Sequence, residues 1–164
     1  MPFDEDLIYG EYGERIAWIS LLESARTRQV LDVRKDKYFQ ERDIDFLQLD
    51  VDNKVNKIEV KTDRQAHKTG NIVFETKSNS NEGCLQRSEA DYVYYYIEKT
   101  GELVGIKLRK LKELINAHIL RLREVRMGDN ARGYLIAIED LERYKVAERR
   151  KVWLNAECSQ KQSY

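Results

Sequence analysis

Asp45, Glu59 and Lys61 are the residues whose types and spacing offer chemistry. They fall within Arg42 to Thr62, R-D-I-D-F-L-Q-L-D-V-D-N-K-V-N-K-I-E-V-K-T, which reads as two strands joined by a polar turn at Asp52-Asn53-Lys54. Ile44, Phe46, Val51 and Val55 fit half-buried strand positions. Side chains alternate along a strand, so Ile58 and Val60 share one face while Glu59 and Lys61 share the other. Asp45, on the first strand, is expected beside Glu59 across the pair. Two carboxylates and an ammonium at one sheet edge suit a hard divalent ion such as Mg²⁺, which takes oxygen ligands and keeps several waters. At a phosphate diester such an ion neutralises developing charge and acidifies an attacking water. A lysine two residues past the second carboxylate orients that water or neutralises the phosphorus centre.

The E-x-K spacing is common in a chain with 35% charged residues. Asp52-Asn53-Lys54 repeats it inside the turn, and Glu75-Thr76-Lys77 repeats it after the strand-like run Asn71-Ile72-Val73-Phe74. Glu59 and Lys61 stand out because apolar residues interleave them and an acidic strand precedes them at hairpin distance. The plainer account is a solvated charged strand face. Asp43, Asp50 or Glu75 are alternatives to the proposed ligands.

I-D-F-L followed after a hairpin by I-E-V-K-T resembles the core of the PD-(D/E)XK nuclease superfamily, which includes restriction enzymes, homing endonucleases and Holliday-junction resolvases. The resemblance implies a restriction-endonuclease-like α/β fold, a mixed β-sheet flanked by helices in a single domain. It makes Asp45 and Glu59 the metal ligands and Lys61 the catalytic lysine. It covers about the first two-thirds of the chain: a helix before the hairpin, then a further helix and strand after it. Resolvase-like members carry a glutamate on the first helix. Glu14, in Y-G-E-R-I, is the best match, although Tyr9-Gly10-Glu11 repeats the triplet. Members of this type also place polar residues on the later helix beside the scissile phosphate, which makes Gln86, Arg87 and Ser88 candidates. No proline precedes the acidic residue here.

The elements that must position these groups are legible in outline. Residues 11–28 read as an amphipathic helix with Ile16, Ile19 and Leu22 inward and an irregular start at Gly10 and Gly13. Val30 to Val33 reads as a strand, and Arg34-Lys35-Asp36-Lys37 as an exposed loop. The polar stretch after Lys61 reads as a loop whose Arg64, His67 and Lys68 are placed to meet a phosphate backbone. A lone histidine in such a loop is more often simply solvated. Ile72 to Thr76 is a third strand, Lys77 to Gly83 a loop, Cys84 to Ala90 a short helix, and Asp91 to Ile97 a strand rich in tyrosine. Consecutive tyrosines on a strand face opposite sides, which favours core packing over a base-stacking platform. Leu103 to Ile106 pairs back on that strand. Residues 108–126 give the strongest helical periodicity, with Arg109, Lys110 and Lys112 on a basic face suited to DNA and His118 among apolar neighbours. Gly133 to Ile138 is a late strand and 139–144 a last helix.

At 164 residues with 41% apolar composition the chain fits one folded domain. The domain is expected over 1–148, followed by a basic tail over 149–164. Cys84 and Cys158 lack C-x-x-C spacing and suit free thiols, and no apolar run approaches the ~20 residues that span a bilayer. With an acidic N-terminus unlike a signal peptide, the expectation is a soluble intracellular, cytoplasmic protein. Net charge is zero, but Lys107 to Tyr164 holds 14 basic against 8 acidic residues. That asymmetry favours DNA as partner.

The function expected is a Mg²⁺-dependent endodeoxyribonuclease, with Mn²⁺ able to substitute. One such site cuts one strand, so duplex cleavage implies a homodimer or higher homo-oligomer. A Holliday-junction resolvase shares every residue and differs in substrate shape. A catalytically inactive DNA-binding protein of the same fold is a rival of another class. An enzyme of small phosphates is disfavoured by the lack of a phosphate-cradling glycine loop.

Overall fold

Period-two and period-3.6 patterning resolves the chain into short elements. The computed structural model describes residues 2–152, with the side chains of 7–152. In chain order they are α1 (Pro2–Leu22), β1 (Thr27–Asp32), α2 (Lys37–Gln40), β2 (Phe46–Asp50), β3 (Val55–Asp63), α3 (Ala66–Thr69), β4 (Asn71–Ser78) and β5 (Asn81–Glu82). There follow α4 (Cys84–Arg87), β6 (Tyr92–Ile97), β7 (Glu102–Lys107), α5 (Leu108–Asn116), β8 (Arg123–Met127), β9 (Ala131–Ala137), α6 (Ile138–Arg143) and β10 (Ala147–Lys151).

The hairpin expected over 42–62 forms. Asp50 Oδ1 accepts from the amides of Asp52 and Lys54 at 2.9 Å each, and Asn53 takes a φ of 62°. Folding the backbone onto an aspartate in this way makes the turn. β2 and β3 then pair antiparallel with Phe46 opposite Ile58 and Leu49 opposite Val55. Val51 and Val55, expected half-buried, flank the turn and are exposed.

Strand order in the main sheet is β1-β2-β3-β6-β7-β10, and β3 and β6 run parallel. Ile58 and Val60 pack with Phe46 under Ile16, Ala17 and Leu21 of α1. The opposite face carries Val93, Tyr95, Val104 and Ile106, which pack against α5 and a second sheet, β5-β4-β9-β8. That second sheet departs from the expected single one. Its pairing sets Ile72 against Ile136 and Phe74 against Tyr134, so both strands bury the same face and need a layer of their own. Tyr95 is buried, its hydroxyl donating to the Val73 carbonyl at 2.8 Å, while Tyr92 and Tyr94 lie on the other side of β6.

α1 runs through both glycines rather than starting at them. Gly13 is buried, and a Cβ there would stand inside contact distance of the Thr62 hydroxyl on β3. The glycine therefore lets helix and strand approach closely and sets the depth at which Glu14 sits. Gly13→Val is expected to destabilise the chain by about 2–3 kcal/mol through overpacking. Gly13→Ala should be partly rescued by Thr62→Ala in a thermal-denaturation double-mutant cycle. Additive effects would show that the contact is not what the glycine serves.

The helix expected over 108–126 stops at Asn116. His118, at φ 55°, caps it: its amide donates to Ile115 O and that of Ile119 to Leu114 O, both at 3.0 Å. This is the Schellman arrangement with histidine where glycine is usual, and His118 is exposed rather than packed. Arg123 to Met127 then alternates as β8. α1 ends at Leu22, short of the expected 28, and a turn follows in which the Thr27 amide donates to Ser24 O at 2.9 Å. The stretch after Lys61 is ordered as the end of β3 and α3, closed by left-handed Gly70. Asn79 and Ser80, both at positive φ, turn β4 into β5 where a loop was expected. Three residues of the expected tail, Arg149 to Lys151, lie in β10. Trp153, Leu154 and Cys158 fall outside the described residues.

Candidate metal and phosphodiester site

Asp45 sits one residue before β2, where the backbone wraps around Glu59. Its amide donates to Ile58 O at 2.8 Å, and its Oδ2 accepts from the Val60 amide at 2.7 Å. Asp45 is thus held on both sides of the residue it was expected to adjoin. Burial pushes its carboxyl pKa up; the Val60 amide counters, Glu14 and Glu59 add to the rise, Lys61 opposes it, and the result is about 7.

Glu59 is 4% exposed on β3. Its Oε1 lies 2.7 Å from Lys61 Nζ, the ion pair that period-two spacing predicts. Its Oε2 is buried without a hydrogen-bond partner. Burial raises the Glu59 pKa; Lys61 pulls it back, and the Ser88 hydroxyl does so too without bonding Oε2. Burial alone would lower the Lys61 pKa, but the Glu59 carboxylate outweighs it and the ammonium is held above its usual range. One third of the Lys61 side chain stays accessible, so this is a cation that solvent or a phosphate oxygen can reach.

Glu14, on α1, bonds Arg34 Nη1 at 2.6 Å and acts electrostatically on Asp45; Glu11 is exposed and does not. Arg34 also grips Asp32 through Nε and Nη2, at 2.9 and 2.6 Å, and lies over the Phe46 ring. Expected as a loop residue, it ties α1 to the end of β1 beside Asp45. Glu14 is twenty residues away in sequence, so no local spacing signals the pair.

The alternative acids occupy other posts. Asp50 makes the turn, at the far end of β2 from Asp45. Asp43, at φ 52°, follows α2, its amide donating to Gln40 O at 3.2 Å, and takes Arg87 in a two-point ion pair at 2.9 and 2.7 Å. Glu75 lies on β4, where a bulge between Glu75 and Lys77 breaks the alternation that would put both on one face. Gln86 is exposed on α4. Arg64 lies over the Tyr9 ring at 4.1 Å, and Lys68 is exposed on α3. His67 is half-buried, its Nδ1 without a hydrogen-bond partner, rather than solvated. Lys112 donates to Ser88 O at 3.2 Å, whereas Arg109 and Lys110 line a separate depression with Lys54 and Lys107.

Among the described residues no three of His, Cys, Asp and Glu group as a complete metal-ligand set. The fit for Mg²⁺ is therefore of the open kind: two carboxylates, one with an unsatisfied buried oxygen, and the remaining positions left to water and phosphate. Among the described residues no helix is long and apolar enough to cross a membrane.

No protein-family model and no curated protein matches the chain. Among solved structures it is similar to a bacterial homing endonuclease, I-Ssp6803I, at 21% identity over 63% of this chain and 69% of that one, with a TM-score of 0.45.

Proposed function

We propose that this chain is a Mg²⁺-dependent endodeoxyribonuclease of the PD-(D/E)XK type, acting as a homodimer or higher assembly on duplex DNA. The observation that carries the reading is the Glu59–Lys61 ion pair at 2.7 Å, with Asp45 clamped to the neighbouring Val60 amide and Glu59 Oε2 unsatisfied. A buried carboxylate oxygen without a partner is costly unless a ligand completes it.

Asp45 and Glu59 would hold the cation. Bound there, it would supply charge neutralisation at the scissile phosphate and a more acidic water. Asp45 is kept in place by the Val60 amide, and Glu14 by Arg34. Lys61, held protonated by Glu59, serves as a positive charge and hydrogen-bond donor toward the phosphate or the attacking water, not as a proton acceptor. The exposed Gln86, Arg64 and Lys68, with half-buried His67, would contact substrate around this centre. Arg87 would do so after exchanging Asp43 for phosphate. The strand order, with β6 parallel to β3 after the hairpin, supports the same family reading.

Supercoiled plasmid incubated with the protein should be nicked or linearised in Mg²⁺, and in Mn²⁺, and left intact in chelator. DNA binding with no cleavage under either metal would favour the inactive DNA-binding protein instead.

A further inference from the structure

The side of the main sheet away from Glu59 is covered by α1 over β1, β2, β3 and part of β6. Farther along, β6, β7 and β10 present a shallow groove. Tyr92 and Tyr94 alternate onto it, their ring centroids 6.4 Å apart. Opposite Tyr94 the partner strand carries Gly105, where a Cβ would come within 2.8 Å of the Tyr94 ring, so the ring lies across bare backbone. Lys107 is the cross-strand partner of Tyr92, and the Arg150 guanidinium stands 5.9 Å from the Tyr94 ring centre. A neighbouring depression shares Tyr92 and Lys107 and adds Lys54, Arg109 and Lys110.

The charges do not cancel within the protein. Arg149 is held by Glu142 at 2.8 Å and Arg109 by Glu113 at 3.2 Å. Lys54, Lys107 and Arg150 make no ion pair among the described residues. Glu148, Asp91 and Glu113 are the acids that line the two depressions, and Asp91 is occupied by the Lys57 amide at 2.8 Å. Unneutralised cations flanking a pair of aromatic rings match a strand of alternating phosphates and flat bases.

We propose that this face is a second nucleic-acid surface, which takes single-stranded nucleic acid with bases against Tyr92 and Tyr94 and phosphates against Lys54, Lys107 and Arg150. It lies on the opposite side of the sheet from the Glu59–Lys61 pair and does not depend on the nuclease reading.

The test is fluorescence anisotropy of a labelled ~12-nucleotide oligothymidylate with the full chain in chelator, so that binding is read without cleavage. Lys107→Glu and Arg150→Glu should each weaken binding at least about tenfold, and Tyr94→Leu about five- to tenfold. The exposed Lys35→Glu, a charge-matched control elsewhere, should stay within about twofold. Circular dichroism establishes that the two glutamate variants fold. The proposal is overturned if those variants bind like the parent, or if binding emerges only after residues 153–164 are removed, the face then belonging to the chain's own end. It is equally overturned if Arg150→Glu turns a dimer into a monomer in sedimentation, the face then being a contact between copies. Failure of plasmid cleavage leaves this result standing, and failure here leaves the cleavage result standing.

Discussion

Lys61→Ala is expected to lower Mg²⁺-dependent DNA cleavage by about a thousandfold or more while the fold persists. A positioned group acting on proton transfer or developing charge contributes about 10²–10⁴, and Lys61 is the cation paired with the innermost carboxylate. Its loss acts twice. The phosphate loses its donor, and Glu59, 4% exposed, loses the charge that offsets its burial. The Glu59 pKa then rises further, which weakens it as a metal ligand. Glu59→Gln should be just as inactive yet milder on stability, because the Lys61 ammonium left behind keeps a third of its side chain in water. Initial nicking rates on supercoiled plasmid, with melting temperatures in chelator, check both statements. Cleavage by both variants at the parent's rate would remove the site from the mechanism.

Asp45→Asn should abolish cleavage and, in chelator at pH 8, make the protein more stable. The Asp45 carboxyl titrates near 3.8 when unperturbed and near 7 in the folded chain, chiefly through burial. Between these values the folded state binds a proton that the unfolded state has released, so the parent's stability falls as pH rises from about 4 to about 7 and is flat above. The full shift corresponds to about 4 kcal/mol at most. Asparagine escapes the penalty because it cannot ionise, and its carbonyl can still accept from the Val60 amide. The gap between variant and parent should therefore be widest above pH 7 and close toward pH 4. Thermal denaturation at the two pH values reads it, and a variant less stable than the parent at pH 8 would overturn the burial argument. The same buried acid would then be a liability of the apo fold that a bound cation relieves.

Much of the site was legible because its key relation is local. Glu59 and Lys61 share a face by strand alternation alone, and Ile58 and Val60, before and between them, mark the apolar face that α1 covers. The hairpin followed from the Asp50 to Lys54 turn. The rival triplet Glu75-Thr76-Lys77 has the same spacing, and the bulge that separates its ends comes from pairing with β9, which no spacing reveals. The end of the helix read over 108–126 was misplaced because His118 takes the left-handed conformation that sequence rules assign to glycine. In the 108–126 stretch that substitution hid a strand behind an apparently continuous helix.

The sequence by itself determined the hairpin, the face that Glu59 and Lys61 occupy, and the acid-and-amine chemistry they offer, since each depends on residues a few positions apart. Only the tertiary structure decided that Asp45 is held at the Val60 amide while Asp43 goes to Arg87 and Asp50 to the turn. It also decided that Glu14 rather than Glu11 acts on Asp45, through Arg34 and the Gly13 contact with Thr62. Those choices depend on how a helix, three strands and a second sheet pack. Burial and charge at each carboxylate come from neighbours distant in the chain, whose positions local patterning does not encode.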